Sequence, residues 1–470
     1  MMQAALPTSR AGRLWLIYAI AAATFLPALF FHYVGEEAIF PISSLEMWHR
    51  GEWLQQYLYG QRTQHNPLYN WLIIPLASLY GWEQMLIVAR ALTVSATVLT
   101  GLVAAWLANA LFRDGALAAF VALVYLTLAD VFFYRGWLAY ADPLFALFLF
   151  GSAAALWIAC IRQQRGLLAL ALAALTAAFM TKALTAYFYY CATALVLLVS
   201  DRRYRTFLLS PASWVMHAVA VAFPLAWFGA VPGNTGQGSR MLAEILAKLA
   251  PGDLGDYLVK LVAYPTEAFV RLAPLALVAT YYAWQRGVRA PDSESKHTLT
   301  ALWIAVVNFL PYWLAPHSAT RYLMPIYPFV ALVIGRFLWV CGERAVRMSE
   351  RWLWAVIALK LVVVIALFPV YQSRYRGENY QIAAKEIAGR TAGQVLYTAN
   401  DSASGLSVTA HLDVLRLPAP PLAFPPGKWE SGFVVAHSAD PLLGRTVSHY
   451  RLGGNDLYLL CRGAACEGKP

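Results

Sequence analysis

The sequence predicts an α-helical polytopic membrane protein of about eleven transmembrane helices, each long enough to cross a hydrocarbon core of roughly 30 Å, followed by a small C-terminal soluble α/β domain. Three observations carry this. Of 470 residues, 60% are hydrophobic and only 13% charged, against roughly 45–50% and 25% in soluble domains. The apolar residues fall in blocks of about 17–25, the length a membrane span requires. Beyond residue 371 the blocks stop, and short helix-like and strand-like runs replace them.

The expected spans lie near 14–33, 84–112, 115–131, 143–161, 166–181, 184–200, 211–230, 267–284, 298–315, 322–341 and 352–370. The first begins with Arg10 and Arg13, but its apolar core is longer than that of a cleaved signal peptide, so it reads as an anchor. Positive charge resists translocation. Arg113, then Arg162 and Arg165, then Arg202, Arg203 and Arg205, then Arg286, Arg289 and Lys296, then Arg344, Arg347 and Arg351 occupy alternate loops. Those loops and the N-terminus are expected on the cytoplasmic side, and the tail on the far side. The net charge of +11 is thus mostly a topology signal. It is scattered over loop ends and forms no groove-reading motif, which argues against nucleic acid as a partner.

The domain division expected is 1–371 for the membrane region and 372–470 for the tail. Outer segments 34–83, 132–142 and 231–266 interrupt the membrane region. Segment 231–266 opens on Gly-rich turn residues and continues with Met241, Ile245 and Leu246 at helical spacing, as in an amphipathic helix lying on the membrane surface; a gate over a lipid-linked substrate is the bolder reading. In the tail, "NYQIAAKEIAGR" has a helical period, and "GQVLYTAN", "GFVVAHS" and "DLYLLC" read as short strands. His411, His437 and His449 have no partners at recognisable spacing there, so the tail reads as a packing or acceptor-docking module. Of the five cysteines, Cys160, Cys191 and Cys341 fall in apolar spans. Cys461 and Cys466 form the pair an oxidising compartment would close.

The apolar interiors contain essentially no Asp or Glu, whereas ion-coupled transporters keep acids near the midplane. Glu36, Glu37, Glu46, Glu52, Asp130, Asp142 and Glu267 instead sit at or beyond outer span ends. Lys360, the odd intramembrane charge, is expected to snorkel to the interface. These positions favour chemistry at the outer face over passage through the membrane.

From Glu36 to Trp53 the stretch "EEAIFPISSLEMWHRGEW" resembles the first outer loop of the polyprenyl-phosphate-sugar-dependent glycosyltransferases of the GT-C fold. That family includes the protein O-mannosyltransferases and the lipid A aminoarabinose transferases. An acidic pair, a Met and a Gly-acid-Trp stand at the family's spacings as Glu36-Glu37, Met47 and Gly51-Glu52-Trp53. "HNPLYNWL" resembles the family's "KPPLYYWL", and "VARALTVSATVLTGLVAAWLANALF" the helix that follows it. "AYADPLFALFLF", "FMTKAL" and "TRYLMPIYPFVAL" are similar to three later landmarks, so the resemblance covers 14–341.

Transfer of a sugar from a polyprenyl phosphate to a hydroxyl needs a carboxylate to take the acceptor's proton and fixed positive charge where the departing phosphate develops its own. The resemblance implies Glu36 as general base, with Glu37 beside it. It implies that Asp142 lines the site, although Asp before Pro143 also reads as an ordinary helix start, Asp at the N-cap and Pro at N1. Lys182 is implied as a phosphate ligand, as are Arg321, by a bidentate pair, and Tyr322, by a hydrogen bond. Arg135 and Arg240 are outer-facing helpers, and His65 a possible substrate contact. Where some aminoarabinose transferases have an acid and a lysine, this chain has His65-Asn66, which argues against copying their acceptor or a metal bound there. No cofactor is required, and a divalent metal stays open.

The expectation is therefore an inverting membrane glycosyltransferase with a polyprenyl (undecaprenyl) phosphate sugar donor. Its acceptor is a lipid A or lipopolysaccharide component, another glycolipid or a protein hydroxyl, on the periplasmic face of a bacterial inner membrane. A lipid or glycan flippase is the rival, and a receptor-like tail on an inert membrane base a further alternative.

Overall fold

The computed structural model describes residues 9–63, 65–182, 184–231, 239, 242–243, 246–247, 253–286, 295–375, 378–452 and 455–467. Among these, seven helices are long and apolar enough to cross a membrane: Arg10–Phe30, Trp82–Phe112, Asp142–Arg162, Pro211–Ala230, Ser295–Leu314, Thr320–Val340 and Glu343–Arg374. A helix pair bent by 102°, Leu254–Arg271 and Leu275–Gln285, makes an eighth candidate. The shorter apolar helices Gly115–Leu126, Arg165–Thr181 and Thr185–Ser200 occupy the remaining expected spans. The chain is a polytopic helical membrane protein. It packs as two compact units, one of Met1–Leu26, Thr93–Trp137 and Ala141–Leu361, the other of Pro27–Leu92, Leu138–Tyr140 and Val362–Pro470. The expected boundary at 371/372 rests on the sequence pattern alone; packing groups Val362–Pro470 with residues 27–92.

The first unit is the helical bundle. Asp142–Arg162 is its central helix, with 78% of its apolar window buried against 17% for Pro211–Ala230. Its run of small residues, Ala153, Ala154 and Ala155, is buried and allows the neighbouring helix to approach closely, as membrane helix pairs require. Gly335 serves the same end between Tyr327–Val340 and Gly115–Leu126. A Cβ there would stand 2.9 Å from a Val121 methyl. Three threonines inside the bundle satisfy themselves locally: Thr100, Thr127 and Thr193 hydroxyls donate to the carbonyls of Ala96, Leu123 and Tyr189. With no water to replace them, such bonds must be internal.

Lys360 does not snorkel. It is 1% exposed, and the rings of Phe25, Phe132, Phe133 and Trp137 surround its ammonium at 5.0, 5.7, 5.8 and 5.5 Å. The negative ring faces supply the environment that headgroups or water would otherwise give. Leu254–Arg271, with Leu254, Leu258 and Val262 along an outward row, is amphipathic. Met241, Ile245 and Arg240 lie outside the described residues.

In the second unit, the helix Ile39–Arg50 leads into a hairpin, β1 (Tyr57–Leu58) and β2 (Gln61–Arg62), paired antiparallel. Its two turn residues, Tyr59 and Gly60, have φ of 56° and 78°, the left-handed pair that a two-residue turn demands to match strand twist. Tertiary contacts hold Tyr59, the residue with a Cβ, in that conformation. Its hydroxyl donates to Asn400 O at 3.3 Å, and its carbonyl accepts from Phe424 N–H at 3.1 Å.

The tail is an α/β layer. β3 (Leu396–Thr398), β4 (Gly432–Ala436), β5 (Arg445–Leu452) and β6 (Asn455–Arg462) form a sheet in the order β3-β4-β6-β5, parallel only between β3 and β4. The helices Glu378–Arg390 and Ala403–Leu415 cover it, burying Ile387, Val408, Leu412, Phe433, Val435 and Leu459 together. Ser402 caps the second helix by accepting from Gly405 N–H. Cys461 and Cys466 are disulfide-bonded. His449 does have a partner, Asp456 at 2.9 Å.

Candidate active site

The two glutamates that begin the first outer loop have opposite environments. Glu36 is exposed, and its carboxylate makes no ion pair or hydrogen bond among the described residues. Its backbone N–H donates to the Tyr140 hydroxyl at 3.2 Å. Gly35, with φ of 61°, makes the turn before it.

Glu37 is completely buried. Arg90 Nε donates to Oε1 at 2.9 Å and Nη2 to Oε2 at 2.6 Å, a bidentate fork. The N–H groups of Val34 and Ala139 donate to Oε2 and Oε1, each at 2.7 Å. Arg90, also 0% exposed, reaches the carbonyls of Ala28 at 3.1 Å and His32 at 2.9 Å as well. Both carboxylate oxygens of Glu37 are thus occupied twice, and the ion pair ties residues 28–37 to residues 138–140. Glu36 offers a free carboxylate; Glu37 holds the turn that presents it. Sequence reasoning missed Arg90. Its signal was a lone arginine in an apolar run, which needs an acid to be buried.

In the bundle, Asp142 is the first residue of its helix, and its side chain makes no capping bond to the backbone. It accepts instead from the Lys182 ammonium, so the cap role is not what the structure gives it. The pair is 15% and 19% exposed. Lys182 ends the helix Arg165–Thr181 as its C-cap, and its Nζ stands 5.0 Å from the centre of the Tyr322 ring and 5.8 Å from that of Phe145. Arg321 Nη2 donates to the Tyr322 hydroxyl at 3.3 Å. Tyr322 therefore gathers Lys182 and Arg321 around one ring, with Asp142 paired to Lys182.

Arg135 belongs to a second cluster. Asp130 and Arg135 bound a π-helical turn, and their side chains form an ion pair of 3.2 Å. Asp130 also accepts from Arg271 and, at 2.9 Å, from the Tyr327 hydroxyl. Tyr327 borders an apolar groove of about 240 Å³ whose walls include Pro265, Phe269, Phe309 and Leu323. His65 is exposed in the second unit, beside the Phe40 ring. Among the described residues no group of three or more His, Cys, Asp or Glu side chains is placed to hold a metal ion.

No protein-family model matches the chain. Solved structures of ArnT from Cupriavidus metallidurans do resemble it. The structure bound to undecaprenyl phosphate superposes with a TM-score of 0.68 at 16% identity, covering 98% of this chain and 100% of that one. The apo structure gives 0.66 at 17% identity, over 98% and 99% of the two chains. At that identity the likeness speaks to fold, and the fold is that of the GT-C glycosyltransferases.

Proposed function

We propose that this protein is an inverting membrane glycosyltransferase, moving a sugar from a polyprenyl phosphate, undecaprenyl phosphate in a bacterial inner membrane, to a hydroxyl on the periplasmic side. The acceptor is a lipid A or lipopolysaccharide component, another glycolipid or a protein. One observation carries the reading: the end-to-end likeness to a protein bound to undecaprenyl phosphate, in a chain whose Lys182, Arg321 and Tyr322 cluster at a helix end.

In this reading the acceptor oxygen attacks the anomeric carbon while the bond from that carbon to the phosphate oxygen breaks. A single displacement inverts the configuration. The acceptor's proton passes to Glu36, whose free carboxylate suits a general base. Glu37 and Arg90 position it. The electron pair of the broken bond leaves with the phosphate, whose added charge Lys182 and Arg321 stabilise, with the Tyr322 hydroxyl donating to it. Asp142 holds Lys182 in place between turnovers. Arg135, Arg240 and His65 keep secondary roles, with His65 a substrate contact in the first outer loop.

Mass spectrometry of cell-envelope glycolipids and glycoproteins, with and without the gene, tests the reading. A missing sugar on one acceptor, restored by wild type and not by Glu36→Gln, is the expected result. Full restoration by Glu36→Gln would favour a flippase, which has no proton to remove.

A further inference from the structure

Asp130 is 3% exposed, and three side chains converge on it. Arg271 closes the first arm of the bent helix pair and donates to Asp130 Oδ1. The Arg135 guanidinium pairs with Oδ2 at 3.2 Å and the Tyr327 hydroxyl donates to it at 2.9 Å. One residue earlier, Ala129 N–H donates to Ala273 O at 2.9 Å, fastening the backbone at the same elbow.

From Arg271 the chain of contacts continues. Its Nε and Nη2 donate to Glu267 Oε1 at 2.9 and 2.6 Å, and the Thr320 hydroxyl donates to the same oxygen at 2.8 Å. Thr320 opens the short 3-10 segment Thr320–Ile326, which carries Arg321 and Tyr322, and Tyr327 follows that segment directly. Asp130 therefore grips both ends of it, one end directly through Tyr327 and the other through Arg271, Glu267 and Thr320. In the same π-helical turn, the ring centres of Phe132 and Phe133 stand 5.7 and 5.8 Å from the Lys360 ammonium, a second set of contacts on the turn. π-helical turns of this kind re-aim side chains and recur at functional sites.

The Asp130 carboxylate is already committed to Arg135, Arg271 and the Tyr327 hydroxyl, which leaves it no oxygen to offer a substrate. We propose that Asp130 is a positioning residue for the donor phosphate: it sets the placement of Arg321 and Tyr322 and binds no substrate itself. This rests on the phosphate reading of Lys182, Arg321 and Tyr322 given above.

The test uses the full chain in lipid nanodiscs, titrated with undecaprenyl phosphate, and reads affinity apart from turnover. Wild type binds and Lys182→Ala loses at least tenfold in affinity if the phosphate reading holds; equal binding by the two would overturn that reading, whatever Asp130 does. Given that result, Asp130→Asn is expected to weaken binding about tenfold while the acceptor KM stays within twofold of wild type. Should that variant fold poorly, Thr320→Val cuts only the last link and is expected to cost about threefold, with Thr320→Ser restoring wild-type affinity. A purely structural role predicts a lower unfolding temperature with unchanged affinity in the folded fraction. Wild-type affinity in folded Asp130→Asn, or in Thr320→Val, overturns the inference and leaves the phosphate reading standing.

Discussion

Arg90 clasps both carboxylate oxygens of Glu37 at 2.9 and 2.6 Å, with neither side chain exposed. Taking two charges out of water is costly, and the pair persists because every remaining hydrogen-bonding position is filled by backbone. Removing one partner leaves the other charged, buried and alone. Arg90→Ala and Glu37→Gln are each expected to destabilise the protein by about 3–5 kcal/mol. Arg90→Lys should recover little, since an ammonium cannot reproduce the bidentate fork. Unfolding followed by tryptophan fluorescence measures this, and a loss below about 1 kcal/mol would mean that the pair does not hold the turn.

Glu36 predicts the opposite pattern. Its exposed carboxylate has no described partner, so Glu36→Gln should leave stability within about 0.5 kcal/mol of wild type. Loss of general-base catalysis should lower turnover by roughly 100-fold or more. Undecaprenyl phosphate binding should be retained. A variant with normal turnover would remove Glu36 from the chemistry, and one with impaired binding would give it a different part in it.

The contrast between the two glutamates also shows what the sequence could and could not disclose. Spans were legible because transfer of some twenty apolar side chains into lipid outweighs every local preference. Glu36 and Glu37 were visible as a pair, but which one faces water depends on Arg90, more than fifty positions away in the chain. The tail helix Ala403–Leu415 was missed for a related reason. It is buried nearly all round, from Ser404 to Leu412, so it shows no amphipathic period. β5 escaped because it is an edge strand, and its mostly exposed "RTVSHYRL" lacks apolar alternation. Asp130 was noticed only as an acid at a span end; Arg271 and Tyr327, which join Arg135 in giving it meaning, come from two distant segments.

Lys182 predicts a donor-specific defect. Its ammonium rests on Asp142 and against the Tyr322 ring, so Lys182→Met keeps most of the stem's packing and removes the charge. The donor KM should rise about tenfold or more, as expected when a charge-assisted contact of roughly 1.5–3 kcal/mol is lost. The acceptor KM should not change. Asp142→Asn should give a smaller effect, because Lys182 keeps its charge and loses only its resting partner. Steady-state kinetics with each substrate varied separately would decide. An equal rise in both constants would point to a general distortion of the site.

The tail supplies a pH dependence whose sign can be worked out. Burial pushes the Asp413 carboxyl up to about 8 from 3.8, with the Glu46 carboxylate adding to the effect. Its Oδ1 accepts from Leu422 N–H, and Oδ2 is buried with no hydrogen-bond partner. Burial lowers His411 from 6.5 to about 4, helped by His32 and Lys385. A raised carboxyl binds its proton in the folded state where the unfolded chain has released it. Stability from Asp413 is therefore complete below pH 3.8 and is lost as pH climbs toward 8. A lowered imidazole works the other way, its stabilisation vanishing as pH drops from 6.5 toward 4. Each slope is about 1.4 kcal/mol per pH unit, so the two cancel between pH 4 and 6.5 and Asp413 alone acts from 6.5 to 8. Wild type should thus show a flat region followed by a decline. Asp413→Asn should show a rise to about pH 6.5 followed by a plateau. Hydrogen exchange of the amides in Ala403–Leu415 and Gly432–Ala436 of the full chain, corrected for intrinsic rates, reads both curves. Identical profiles for the two proteins would mean that Asp413 ionises in the folded tail as freely as in the unfolded one, and that water or an unseen donor reaches Oδ2.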